Sequence, residues 1–169
     1  MMPATAHCSV VIPLYNKALH VQRAIDSVLA QKYQDFELIV VDDGSTDGGS
    51  EIVLCYTDHR IRLVTQERSG ASAARNRGIR EATSDLVAFL DADDEWKPFF
   101  LDTVMGLRAR YPEAGMYAAA YRCSKGNALW RPDFIACPES PEGGLMQDYF
   151  LSAMGPQPVT SSSVMIPKH

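Results

Sequence analysis

Short apolar runs alternate with helical segments along most of this chain, and this alternation constrains the fold more than any other feature. Runs with the length and β-branched content of buried strands cover residues 9–14, 36–41, 61–65 and 86–90, with a weaker one at 116–121. Helical patterns cover residues 18–31, 51–56, 71–82 and 98–110. Repeated strand-helix-strand order predicts an α/β fold, with a mainly parallel sheet covered by helices on both faces.

The regular alternation ends near residue 122. Beyond that point prolines and glycines are frequent, and the pattern predicts only a short helix at 145–153 and a strand at 163–166. We interpret the whole chain as a single domain, with residues 9–122 as its main binding part and residues 123–169 as the beginning of a substrate-side part.

Polar and acidic residues follow the predicted strands directly. Tyr15 and Asn16 follow the first strand, Asp42 and Asp43 end the second, and residues 91–94 (Asp-Ala-Asp-Asp) follow the fourth. Parallel strands bring their carboxyl ends to one edge of the sheet, where open α/β sheets bind ligands. Several carboxylates at one edge repel each other without a cation, and their hard oxygens suit Mg or Mn.

Composition excludes several classes of protein. The chain has 169 residues, 46% of them hydrophobic, with 16 Lys plus Arg against 21 Asp plus Glu. Its formal charge of -5 and the lack of a basic run argue against a nucleic-acid partner. Four separated cysteines without a C-x-x-C pair predict reduced thiols in a cytoplasmic protein. The sequence shows no signal peptide or membrane-spanning run, so any contact with the cytoplasmic face of a membrane is expected through regions outside it.

Each candidate site residue also has a purely structural interpretation. Asp42 and Asp43 are suited to cap the following helix, and the acids at 91–94 to lie in a solvated loop before a helix. Tyr15 suits packing as well as stacking on a base, and Gly70 suits a break before a helix. We expect the four histidines, which are scattered along the sequence, to lie on the surface.

Four segments, taken together, resemble the ordered motifs of family 2 glycosyltransferases with the GT-A fold. They read Val-Val-Ile-Pro-Leu-Tyr-Asn (10–16), Val-Val-Asp-Asp-Gly-Ser-Thr-Asp (40–47), Gly-Ala-Ser-Ala-Ala-Arg-Asn-Arg-Gly (70–78) and Phe-Leu-Asp-Ala-Asp-Asp (89–94). The resemblance is strong over residues 9–96 and weak beyond. It implies a Rossmann-like, three-layer αβα sandwich whose main part, residues 9–122, binds a nucleotide-diphosphate sugar.

The resemblance also implies roles for individual residues. Asp43 would accept a hydrogen bond from the imide N–H of uracil, since an ionised carboxylate only accepts. Asp91 would hold the ribose side, Asp93 would ligate Mg or Mn, and Asp94 would reach the ion through water. The remaining donor-binding candidates are Pro13, Tyr15, Arg75, Asn76 and Ala92, and we also considered a phosphate contact for Arg68.

The reaction implied by the resemblance is an inverting transfer of a sugar, from UDP in the favoured case, to an acceptor hydroxyl. The acceptor is a carbohydrate, a lipid or a protein. A carboxylate base would deprotonate the acceptor, and the bound metal would stabilise the departing diphosphate. In the family that base follows the stretch resembling residues 160–167, so we expect this chain to be a truncated domain that holds the donor half and lacks the catalytic base.

Two other functions are also compatible with acidic residues at the end of a parallel strand. A nucleotidyltransferase would also use a metal-binding acid pair, but a Gly-rich phosphate loop is expected after its first strand, where this chain has Pro13 to Lys17. The second alternative is a noncatalytic nucleotide-sugar-binding module, which would bind the donor without transferring the sugar.

Overall fold

A computed structural model describes residues 8–134, 137–138, 140, 143–146, 154 and 156–168. The predicted helix at 145–153 falls mostly outside these residues, and the two of its positions that are described, Leu145 and Met146, have no regular secondary structure. His20 and His59 are exposed as predicted, whereas His7 and His169 lie outside the described residues.

The central sheet is mainly parallel, as the sequence predicts. Its parallel part consists of β1 (Cys8–Leu14), β2 (Phe36–Asp42), β3 (Ile61–Thr65) and β4 (Leu86–Phe89). β1, β2 and β4 are apolar because both of their faces are buried, whereas β3, at the edge of the sheet, is only partly buried. The order β3-β2-β1-β4 leaves β1 and β2 in the middle of this parallel part.

The strand register brings the predicted loops to the same level. Leu14 at the end of β1 lies beside Asp42 at the end of β2, and Asp42 in turn lies beside Thr65 at the end of β3. On the other side of β1, Val11 pairs with Phe89, and the backbone N–H of Leu90 donates to the Val11 carbonyl. The loops after β1, β2, β3 and β4 therefore leave one edge of the sheet.

The sheet continues past β4 with strands from the less regular part of the chain. β8 (Val164–Pro167) lies between β4 and β5 (Tyr117–Ala118) and is antiparallel to both. The strand predicted at 163–166 is thus confirmed, and that predicted at 116–121 is shortened to two residues. The sequence missed a separate hairpin, in which β6 (Cys123–Lys125) pairs with β7 (Ala128–Trp130). The Gly126-Asn127 turn between them was a usable signal, since Gly126 has a φ of 57°.

Helices cover both faces of the sheet. α1 (Ala18–Leu29), α2 (Gly49–Leu54) and α4 (Phe100–Arg110) contribute to the apolar cluster on one face, and α3 (Ala71–Glu81) to that on the other. The structure therefore confirms three layers and corrects some bounds. α2 begins at Gly49 rather than at residue 51, and α1 ends at Leu29 rather than at residue 31. Within the described residues, no helix is both long and apolar enough to cross a membrane.

Candidate functional site

A cleft with a volume of about 360 Å³ lies at the carboxyl edge of the parallel strands. The loops after β1, β2, β3 and β4 and the first turns of α3 form its walls. Three cationic side chains (Lys17, Arg68 and Arg75) and three carboxylates (Asp43, Asp91 and Asp93) line it. Side chains far apart in the sequence meet here because the strands that carry them run parallel and end at one level.

Asp43 connects the end of β2 to the beginning of α3. Its Oδ1 accepts hydrogen bonds from Gln66 Nε2 at 2.7 Å and from the Ser69 N–H at 2.8 Å, and its Oδ2 accepts one from the Gly70 N–H at 2.7 Å. The carboxylate therefore holds the loop before α3, which forms one wall of the cleft. Asp43 does not cap α2, contrary to its structural interpretation. Its carboxylate contacts the segment before α3 instead.

The ionised state of Asp43 is favoured although the residue is only 3% exposed. Burial raises the pKa of this carboxyl, but the hydrogen bonds from Gln66, Ser69 and Gly70 outweigh that effect and hold the pKa below its usual value. A carboxylate has about four lone-pair sites. The three hydrogen bonds leave one acceptor position at Oδ2 for a ligand.

The neighbouring loops after β1 and β2 are joined by polar contacts. Asn16, with a φ of 49°, accepts a hydrogen bond from the Thr46 N–H at 2.9 Å and donates its own N–H to Ser45 Oγ at 3.1 Å. Asp47 accepts from the N–H of Ala18 at 2.8 Å and from the N–H of Gly49 at 3.1 Å. One carboxylate thus caps the first turns of both α1 and α2. Asp42 accepts from the Ser45 N–H in its own loop and from the hydroxyl of Ser50 in the first turn of α2.

Asp91 is fixed from two directions. Arg75 of α3 donates to its Oδ1 in a short ion pair, and the Ser161 hydroxyl donates to its Oδ2 at 2.5 Å. The backbone N–H of Asp91 donates to Ser162 Oγ at 2.9 Å. The segment before β8 therefore holds the loop after β4 in place.

Trp96 strengthens the same junction. Its indole N–H donates to the Ser162 carbonyl at 2.6 Å, and its ring stacks on Phe100 with a centroid separation of 4.1 Å. A buried indole needs such an acceptor. The loop after β4 is consequently anchored at both of its ends, by the contacts of Asp91 and by those of Trp96.

Asp93 has a different kind of partner. Its Oδ2 lies 2.6 Å from Lys17 Nζ, and the two side chains are 43% and 42% exposed. The hydrogen bond that Lys17 donates to Asp93 lowers the pKa of Asp93 and raises the pKa of Lys17. Arg23 of α1 donates to the backbone carbonyl of Asp93. This pair connects the loop after β1 to the loop after β4.

The aromatic ring in the cleft belongs to Tyr15. The guanidinium carbon of Arg68 lies 4.5 Å from the centroid of this ring, in a cation–π arrangement. Gly44, with a φ of 76°, allows the close approach of the Arg68 backbone, because a Cβ at that position would lie 3.2 Å from the Arg68 nitrogen. Tyr15 therefore presents a ring to the cleft rather than packing into the core.

The structure brings together most of the residues that the sequence suggested. Lining the cleft are Pro13, Tyr15, Asp43, Arg75, Asp91, Ala92 and Asp93. Asn76 and Asp94 are exposed and do not line it. Sequence reasoning assigned no role to Lys17 or Ser161; the position of Lys17 immediately after Asn16 was a usable signal, since the loop after β1 was already expected at the site.

No group of three or more His, Cys, Asp or Glu side chains suited to hold a metal is found among the described residues. This geometry still fits Mg or Mn, because these ions bind one or two carboxylates and complete their shell with water and substrate phosphates. Asp93 supplies a partly exposed carboxylate oxygen, and a lysine ammonium already lies against it. The donor set therefore suits a cation that arrives with a phosphorylated ligand.

Comparisons with known proteins agree with this geometry. The sequence model described as "Glycosyl transferase family 2" matches residues 9–155. The protein named uncharacterized glycosyltransferase YibD, from Escherichia coli K12, is 44% identical over 107 residues, which cover 62% of this chain and 31% of that protein. The chain thus spans about a third of the length of this relative.

Two solved structures share the fold. The S. aureus TarS 1–349 structure matches with a TM-score of 0.73 and 21% identity, over 95% of this chain and 47% of that one, and supports the GT-A architecture. The mannosyltransferase PcManGT from Pyrobaculum calidifontis, solved with GDP-Man and Mn2+, matches with a TM-score of 0.61 and 30% identity, over 67% of this chain and 35% of that one.

Proposed function

Because the chain belongs to glycosyl transferase family 2, we propose that it forms the nucleotide-sugar-binding part of an inverting glycosyltransferase. The donor is a sugar linked to a nucleoside diphosphate, UDP in the favoured case, and the acceptor group is a hydroxyl of a carbohydrate, lipid or protein. The observation that carries this proposal is the convergence of Tyr15, Asp43, Arg75 and Asp91 on one cleft from four different loops or helices.

The nucleobase is assigned to the wall formed by Tyr15 and Asp43. The Tyr15 ring would provide a stacking surface, and the remaining acceptor position of Asp43 would accept a hydrogen bond from an N–H group of the base. An ionised carboxylate accepts and cannot donate, so it suits uracil, thymine or guanine, each of which has a ring N–H. Cytosine and adenine have an unprotonated ring nitrogen at the corresponding edge and would be repelled. This pairing restricts the donor to a subset of nucleotides.

The ribose and the diphosphate are assigned to the part of the cleft that Asp91, Ala92 and Arg75 line. Asp91 and Ala92 lie at the ribose, and Arg75 supplies positive charge beside Asp91. The Nε of Arg75 is buried without an acceptor among the described residues. A buried donor without an acceptor lowers the stability of a protein by about 1–3 kcal/mol. A ligand oxygen that draws the guanidinium toward the cleft would satisfy it.

A divalent cation is part of the proposal, with Asp93 as its carboxylate ligand. When bound, Mg or Mn supplies Lewis-acid stabilisation of the negative charge on the departing diphosphate. The mannosyltransferase relative was solved with Mn2+ and a nucleotide sugar, which supports this assignment. Asp94 is exposed outside the cleft, so its contribution to the cation passes through water.

We assign no catalytic base to the cleft. The oxygens of Asp43 and Asp91 accept hydrogen bonds from the fold, and Asp93 is paired with Lys17. A base must be within hydrogen-bond reach of the acceptor hydroxyl and free to take its proton. The described residues therefore support donor binding directly, and a noncatalytic donor-binding module is the second candidate on the same observation.

A cytoplasmic location, including the cytoplasmic face of a membrane, is proposed for the whole protein. Cys8, Cys55, Cys123 and Cys137 are free thiols. Free cysteines are typical of reducing compartments.

Calorimetric titration of UDP, GDP, dTDP and CDP, each with and without Mn2+, tests the proposal. We expect UDP, GDP or dTDP to bind, Mn2+ to strengthen the binding, and CDP to bind at least about tenfold more weakly, as expected for a mismatched hydrogen-bonding edge. Asp93→Asn should remove most of the Mn2+ dependence, and Asp94→Asn, as the matched control, less of it. Equal affinity for all four nucleotides would contradict the role of Asp43. A transfer assay separates the two candidates, because a binding module would not turn over.

A further inference from the structure

Lys17 forms an ion pair with Asp93, the proposed metal ligand of the cleft. Its Nζ is 2.6 Å from Asp93 Oδ2, although the two residues are 76 positions apart in the sequence. The side chains are 42% and 43% exposed, so this ion pair is open to solvent and to ligands. Exposed pairs are worth about 0–1 kcal/mol and are readily exchanged.

The other two carboxylates of the cleft are held by less exchangeable partners. Asp43 accepts hydrogen bonds from two backbone N–H groups, which cannot move without displacing the loop before α3. Asp91 is held by Arg75 and by Ser161. Asp93 alone among these three carboxylates has its side chain held by a lysine, whose four-carbon stem allows the ammonium to move. Asp93 is therefore the carboxylate of the cleft best suited to change partners.

The charge of the cleft points the same way. Three cationic and three anionic side chains line it, so its formal charge is close to zero before a ligand binds. A nucleoside diphosphate brings at least two negative charges into this neutral space. Both a divalent cation and a lysine released from its carboxylate would compensate them.

We propose that Lys17 is an exchangeable internal cation: it occupies Asp93 in the ligand-free protein and pairs with the donor diphosphate once a divalent cation takes its place. This inference rests on the proposed function and adds a positioning residue to that site. Lys17 and Asp93 both line the cleft, so the flexible lysine side chain is placed to exchange the carboxylate for a ligand bound there.

Removing the lysine charge then has opposite effects on two ligands. Mn2+ no longer competes with an ammonium for Asp93, so Mn2+ alone binds more tightly. UDP that binds together with Mn2+ loses a cationic partner, so its affinity at saturating Mn2+ falls. A residue that only supported the loop would weaken both ligands, and a residue that only bound phosphate would leave Mn2+ binding unchanged.

The test measures the binding of Mn2+ alone by water-proton relaxation enhancement and the binding of UDP at saturating Mn2+ by calorimetry. Both are measured on the parent chain, Lys17→Gln, Lys17→Arg and Lys97→Gln. Lys97 is the matched control, since it is 80% exposed, lies beside the same loop and pairs with Glu95 outside the cleft. For Lys17→Gln we expect about two- to fivefold tighter Mn2+ and about two- to fivefold weaker UDP, the range of an exposed ion pair. Lys17→Arg should weaken Mn2+ binding, because Arg binds carboxylates through two parallel hydrogen bonds.

Several outcomes would overturn the inference. These are unchanged or weaker Mn2+ binding in Lys17→Gln, UDP affinity that does not fall, equal effects in Lys97→Gln, and no relaxation enhancement in any variant. Urea unfolding curves show whether each variant is folded, and Lys17→Arg keeps the test valid if Lys17→Gln is not. If the parent binds Mn2+ but no nucleotide with or without metal, the proposed function fails instead, which separates the two conclusions.

Discussion

The Oδ2 atom of Asp43 accepts a 2.7 Å hydrogen bond from the backbone N–H of Gly70, the residue immediately before α3. A carboxylate at the end of β2 thus determines where a helix on the face of the sheet begins. The same side chain lines the cleft. Its structural role and its proposed ligand-binding role therefore belong to one group, and a substitution there is expected to change both stability and affinity.

Asp43→Asn is expected to destabilise the protein by about 1–3 kcal/mol at pH 7, because an amide cannot accept from Ser69, Gly70 and Gln66 at once and places N–H groups against backbone donors. Urea unfolding at pH 7 measures the difference. Asp85→Asn, at a turn far from the cleft, serves as a control and should change little. Equal stability of Asp43→Asn and the parent would show that these hydrogen bonds contribute nothing net.

The contribution of Asp43 should also depend on pH. The pKa of its carboxyl is lowered in the folded state, so it stabilises the fold above the unfolded-state pKa of about 3.9. That stabilisation is lost as the pH falls from there through the lower folded-state value. The difference in unfolding free energy between the parent and Asp43→Asn should therefore shrink below about pH 4. A difference that grows on acidification would contradict this assignment.

Asp47→Ala tests the cap that two helices share. The carboxylate of Asp47 accepts the N–H of Ala18 in α1 and of Gly49 in α2, so removing it leaves two helix-terminal donors without that partner. We expect a loss of about 1–2 kcal/mol, the usual cost of a lost cap. Asp47→Asn keeps one carbonyl acceptor and should lose less, and both variants are compared by thermal unfolding. An equal loss in both would point to the charge rather than to the hydrogen bonds.

The parallel part of the fold was predictable because it depends on local patterns. The strands β1 to β4 read as short β-branched runs, and the rule that parallel strands end at one edge was enough to place Tyr15, Asp43 and Asp91 together. The antiparallel β8 was different. Val164 pairs with Phe89, 75 residues earlier, and no local periodicity specifies such a partner or its direction.

The residues that line the candidate cleft were predictable to a similar extent. Individual acids were found from their positions at strand ends, whereas their partners were not, because Lys17–Asp93 and Asp43–Gly70 are long-range contacts. For Asn76, helix geometry alone was enough to correct the prediction. Neighbouring helical residues point about 100° apart at 3.6 residues per turn, so Arg75 and Asn76 do not both face the cleft.

Tyr15→Leu is expected to weaken UDP binding by about tenfold, because base stacking on an aromatic ring contributes about 1–3 kcal/mol. Tyr15→Phe keeps both the ring and its contact with Arg68, and should bind UDP nearly as well as the parent. Calorimetry under the same metal conditions compares the three proteins. If Tyr15→Leu binds as tightly as Tyr15→Phe, the base does not stack on this ring.

Gly78→Ala and Gly106→Ala make the same substitution in two helices and should have opposite effects on stability. In an exposed helix interior, Ala is favoured over Gly by about 1 kcal/mol. At Gly106 in α4 a new Cβ meets nothing within 4 Å, so we expect stabilisation of roughly that size. At Gly78 in α3 the Cβ would lie 2.3 Å from Val11 Cγ1, in a strand at the centre of the sheet.

We therefore expect Gly78→Ala to destabilise the protein by about 1–3 kcal/mol, as overpacking of a core does. Urea unfolding of both variants provides the measurement. Val11→Ala removes the clashing methyl groups, so the double variant Gly78→Ala/Val11→Ala should be more stable than the sum of the two single effects predicts. Additive effects, or a stabilising Gly78→Ala, would mean that α3 does not pack on β1 at the distance seen here. Because α3 carries Arg75 and begins at the Asp43 contact, that separation also determines the width of the cleft.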